Sequence, residues 1–100
     1  SKARVTTEFE GAASDKQHQA VIVLGLEEDG IGFHLVGESS GMDLLIMVCA
    51  AATGVLERLK TRAPGRVFEI SKQFLKERLN ALLDGEEQLE IKEEASEDSN

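Results

Sequence analysis

Between Leu44 and Leu56 the chain runs for thirteen residues without a charge, although 30% of its residues are charged. That run constrains the fold more than any other feature. Ser39 and Ser40 precede Gly41, Met42 and Asp43. A serine cap followed by an acid in the first turn is a helix start. Arg58, Lys60 and Arg62 suit the negative end of a helix dipole, and Pro64-Gly65 stops it. The stretch 40–63 is therefore predicted to be one helix. At helical spacing Met42, Leu45, Ile46, Cys49, Thr53, Leu56 and Leu59 form one stripe, and Leu44, Met47, Val48, Ala51 and Val55 a second, roughly opposite one. Two apolar stripes need cover on two sides, so the expectation is a helix sunk into a core. The uncharged run is shorter than the about 20 residues that span a bilayer.

One hundred residues suit a single domain. Four Phe are the only aromatic residues, so the flat anchors that dominate many recognition sites are scarce. A single Cys excludes an intramolecular disulfide framework and gives no argument for secretion. No basic-then-apolar leader is seen at the start. The expectation is a soluble protein in the cytoplasm of a bacterial or host cell, with no membrane partner. The net charge of −8 is unevenly spread. Asp84–Asn100 holds eight acids against Lys92 alone, whereas the preceding residues hold eleven acids and ten bases. The body is nearly neutral, and residues 85–100 read as an acidic, solvated, disordered tail.

Ala20–Glu38 carries two β-rich runs around Asp29-Gly30. Asp-Gly favours a two-residue type I′ turn. With those two as the loop, Leu26 faces Phe33, Leu24 faces Leu35 and Ile22 faces Gly37. One side of this hairpin (20–38) is then Ala20, Ile22, Leu24, Leu26, Ile31, Phe33 and Leu35, all apolar. The other is mixed, with Val21, Val23, Gly25, Glu27, Gly32, His34, Val36 and Glu38. A one-residue slip would exchange the faces. A lone ribbon is unstable, so it must pack on a helix or gain strands.

Upstream, Val5, Thr7 and Phe9 alternate with polar residues. Residues 1–19 read as a mobile arm or a short strand, followed by a loop at Ala12–Gln19. Downstream, Arg66–Ile70 suits either a brief strand or a first helical turn. Ser71 then reads as the cap of an amphipathic helix over 71–84, ended by Gly85. Leu89 and Ile91 alternate with Glu90 and Lys92, which suits an added strand less well than disorder. The expected fold class is α+β: an antiparallel hairpin, extended to three or four strands at most, packed on two helices within one domain at 20–84.

Residues able to do chemistry are few. His18 and His34 are the only histidines, and no third ligand lies near either, so no metal is expected. Cys49 sits among apolar neighbours, where a buried thiol is inert; a nucleophilic Cys49–His34 pair is the sole enzymatic option, and catalysis is not expected. Gly30, Gly32, Gly37 and Gly41 match neither the dinucleotide fingerprint nor the P-loop, so no cofactor is implied; turn and strand-end roles explain them. Ala50 and Gly54 form a small-xxx-small pair that lets another backbone approach, and a C2 dimer is the sharper reading of it. The expected interface is Leu44, Met47, Val48, Ala51, Gly54 and Val55. Residues 57–78 hold seven bases against three acids. Arg58, Arg62, Arg66 and Lys72 would be the contacts of an alternative nucleic-acid-binding or regulatory module.

The order of a hairpin, a helix opening Gly-Met-Asp-Leu-Leu, a second helix and a charged tail resembles short accessory proteins encoded by phages and prophages. The likeness covers Val21 to Leu83. It implies an interaction role, such as binding or inhibiting a host protein or assisting assembly, and it assigns no residues. The expected function is thus a small non-enzymatic protein-binding protein acting as a homodimer.

Overall fold

The computed structural model describes residues 2–94. The chain adopts the expected α+β class. Its elements are β1 (Ala3–Phe9), β2 (Ala12–His18), β3 (Ala20–Glu27), β4 (Gly30–Gly37), α1 (Gly41–Arg62), α2 (Arg66–Leu83) and β5 (Lys92–Glu93). Contacts divide it into a sheet unit, up to Ser40 and again from Glu90, and a helical unit, Gly41–Leu89. The division at Ser40–Gly41 falls inside the 20–84 stretch that the sequence suggests is one domain.

In the sheet unit β1 and β2 form an antiparallel hairpin from Ala3 opposite His18 to Phe9 opposite Ala12. Its loop is Glu10-Gly11, with φ of 50° and 83°. Both central residues of a type I′ turn need positive φ, and Gly11 supplies one at no steric cost. The loop expected at Ala12–Gln19 is therefore a strand up to His18. Ala-Ala-Ser-Asp-Lys-Gln-His has no β-branched or aromatic residue, so the partner strand and the turn impose its conformation.

The second hairpin pairs β3 with β4 in a register different from the expected one. Glu27 faces Gly30, Leu26 faces Ile31, Leu24 faces Phe33 and Ile22 faces Leu35. The loop is Glu28-Asp29, neither residue has positive φ, and Gly30 opens β4 at φ 141°. Side chains alternate with period two, so a two-residue shift in pairing leaves every residue on its predicted face. What changes is who stands opposite whom. His34 faces Val23 instead of Gly25, and Gly25 faces Gly32. β5 then adds in parallel to the outer edge of β4, with Lys92 beside Gly32 and Glu93 beside Phe33. The disordered reading of 85–100 is corrected at Lys92–Glu93; residues 95–100 lie outside the described residues.

In the helical unit α1 ends at Arg62, just before Pro64-Gly65, as its sequence requires. α2 begins at Arg66 rather than Ser71. Arg66–Ile70 is its first turn, and Ser71 is interior, its hydroxyl donating to the Val67 carbonyl at 2.8 Å. The expectation of a helix sunk into a core fails: α1 has no buried residue. Among the described residues Ala3, 5% exposed, is the one buried hydrophobic side chain.

Candidate interaction surface

The expected interface residues all stand on α1, and the structure separates them into two kinds. Leu44 and Met47 are half-buried, while Val48, Ala51, Gly54 and Val55 are exposed. Leu56 is half-buried and lines a groove of the helical unit with Leu75, Leu79 and Leu83 of α2. Met42, Leu45, Ile46, Val48 and Val55 remain 56–64% exposed. These lie on both predicted stripes, because α2 covers one line of α1 and leaves the rest. A Cβ built at Gly54 would meet nothing within 4 Å. Gly54 therefore leaves an open notch within the chain.

The basic residues differ in their surroundings. Arg58 and Arg62 border a shallow hollow with Glu57 and Thr61. Lys72 pairs with Glu69 at 3.0 Å and stands 4.9 Å from the centre of the Phe68 ring. Arg66 opens α2. Arg78 pairs with Glu87 and lies over Phe74. The acidic segment thus turns back on one member of the basic stretch.

Cys49 is exposed, against the expectation of an inert buried thiol. It belongs to the helical unit and His34 to the sheet unit. His18 is the last residue of β2 and is exposed. Among the described residues no three of His, Cys, Asp and Glu gather as metal ligands, and no helix is long and apolar enough to cross a membrane.

The sequence reading missed a second constellation, on the mixed face of the sheet. Gly25, Gly32 and Lys92 stand side by side across β3, β4 and β5. The Glu27 side chain lies over Gly32: a Cβ there would run into its carboxylate, with Glu27 Cδ 3.2 Å away. Lys92 Nζ donates to Glu27 Oε1 at 2.7 Å and to Asp29 Oδ1 at 2.6 Å. These two carboxylates raise the Lys92 pKa, Asp29 most. One step along, Glu94 N donates to the Phe33 carbonyl at 3.0 Å, and Glu94 Oε2 lies 3.8 Å from His34 Nδ1. His34 Nε2 is shielded from solvent and has no hydrogen-bond partner. No sequence motif announces this group, because it exists only once the register is known.

The sequence matches no protein-family model, and no curated protein or solved structure is similar to it.

Proposed function

We propose that this chain is a non-enzymatic interaction protein that pairs with a second copy of itself through α1. One observation carries the reading: the described residues bury a single hydrophobic side chain, Ala3. Folded proteins are stable by only about 5–15 kcal/mol, and buried apolar surface is the main favourable contribution. A fully buried Val, Leu or Ile contributes about 1.5–3 kcal/mol, and the five α1 side chains named above realise less than half of that. Leu44, Val48, Ala51 and Val55 recur at alternating spacings of four and three, the seam of a two-helix packing. The seam has no charge until Arg58. A second copy offers the same uncharged seam, and a two-fold axis makes it self-complementary. The resemblance to phage accessory proteins agrees with such a role.

Light scattering at micromolar concentration is expected to give a mass near twice 10.9 kDa. Val48→Glu combined with Val55→Glu places charges in the seam and is expected to give the single-chain mass. A wild-type protein that stays at the single-chain mass would sink the reading.

A further inference from the structure

We propose that the outer edge of β4 is a strand-addition site, and that β5 is its tethered occupant, displaced by an extended segment of a partner protein. The segment that fits runs parallel to β4, with a cationic side chain beside Gly32 and a carboxylate two residues later. On its β3 side β4 is paired from Gly30 to Gly37. Among the described residues, its other side is paired at Gly32 and Phe33. The remaining backbone groups of that edge form a template for another strand.

The charge pattern of the edge defines what it accepts. Gly25 and Gly32 leave a trough, and Glu27 reaches along it to the Lys92 ammonium. Asp29 closes the other side of that ammonium. His34 stands where the carboxylate of Glu94 arrives. The edge is thus anionic at the Gly32 row and offers an imidazole at the next row. Lys92 meets the first with two hydrogen bonds, and the Glu94 carboxylate stands 3.8 Å from the second.

The occupant is held weakly enough to exchange. A two-residue strand gains few backbone hydrogen bonds, and each adds little once the bonds to water it replaces are counted. Its ion pairs are exposed, and solvent screens such pairs so that they hold the strand only weakly. Tethering compensates by raising local concentration. A free segment able to pair with more of Gly30–Gly37 gains hydrogen bonds that β5 does not make. The chain then keeps its edge covered until such a segment arrives.

The test uses a fluorescent peptide of the sequence Gln-Leu-Glu-Ile-Lys-Glu-Glu, residues 88–94, and full-length protein. In Lys92→Glu protein Glu27 and Asp29 repel the chain's own strand. The peptide is expected to bind this variant about tenfold or more tighter than wild type, by fluorescence anisotropy. A peptide with Glu in place of its Lys is expected to bind about tenfold or more weaker. Adding Gly32→Ala, which drives the Glu27 carboxylate from the trough and leaves Asp29, should reduce the preference for Lys. Equal affinity for the two proteins, or for the two peptides, overturns the proposal. If circular dichroism shows Lys92→Glu protein unfolded, the wild type decides. Excess unlabelled peptide must then speed hydrogen exchange of the Glu94 amide in 15N-labelled protein while the β3 amides keep their protection. Unchanged Glu94 exchange overturns the proposal as well.

Discussion

Arg4 and Asp15 are diagonal neighbours on one face of the β1–β2 hairpin, where Arg4 stands opposite Gln17 and Thr6 opposite Asp15. Arg4 Nε donates to both Asp15 oxygens, at 2.8 and 3.1 Å, and Nη2 adds a further contact. The guanidinium holds the Asp15 carboxyl below its usual range, and Asp15 raises the Arg4 pKa. A carboxyl whose pKa is depressed on folding contributes stability above its unfolded pKa and loses it as pH falls through the folded value. The β1–β2 amides are therefore expected to lose hydrogen-exchange protection in acid, below the ordinary aspartate range. In Asp15→Asn that acid step should vanish. A step that survives the substitution would remove Asp15 as its source. Both groups are exposed, so the effect belongs to this hairpin rather than to global stability. This contact and the Gly32 trough share one property. Arg4 and Asp15 are eleven apart, and Glu27 and Lys92 sixty-five apart. Single residues do not declare such pairs; Gly32 taken alone reads as a turn residue.

At the scale of elements, periodicity was legible where it was long, and capping and turn chemistry less so. α1 and the two faces of β3–β4 follow from spacing alone, since 3.6- and 2-residue periods survive small errors of boundary. The turn slid by one residue because Gly30 serves equally as a loop position or as the first residue of β4. β2 was illegible because its residues have no preference of their own for a strand. The early start of α2 was hidden because Arg66–Ile70 mixes two helix-favouring residues, Arg66 and Glu69, with three strand-favouring ones, and Ser71 bonds back to Val67 instead of capping. Within α1, Gly54 gives a test whose two readings differ in sign. Glycine inside a helix costs about 1 kcal/mol relative to good helix formers. Nothing lies within 4 Å of a Cβ at Gly54, so Gly54→Leu should stabilise the single chain by about that amount. If Gly54 lies at a crossing of two α1 helices, the same change should weaken association about tenfold or more. Sedimentation across a concentration series separates the outcomes. Association left intact or tightened by Gly54→Leu would move the crossing away from Gly54.

Across the whole molecule, apolar content and burial are out of proportion. The sequence is 41% hydrophobic. Yet Leu26 is 91% exposed at the tip of β3, Val48 and Val55 are exposed on α1, and Phe74 is exposed on α2. Composition made a core look assured, but composition cannot say which chain supplies its other half. If a second copy does, folding and association are one equilibrium, and stability depends on concentration. A tenfold rise in protein contributes about 1.4 kcal/mol to a two-chain equilibrium. One kcal/mol moves the melting temperature of a domain of 60–100 residues by about 4–8 °C. Shared between two chains, the tenfold rise should raise the melting temperature by roughly a few degrees. Circular dichroism melts from about 2 to 200 μM are expected to show this shift in wild type. The Val48→Glu, Val55→Glu protein should melt lower and at a temperature independent of concentration. A wild-type melt that does not move over that range would mean that each chain completes its fold alone, and the exposed α1 seam would then need another purpose.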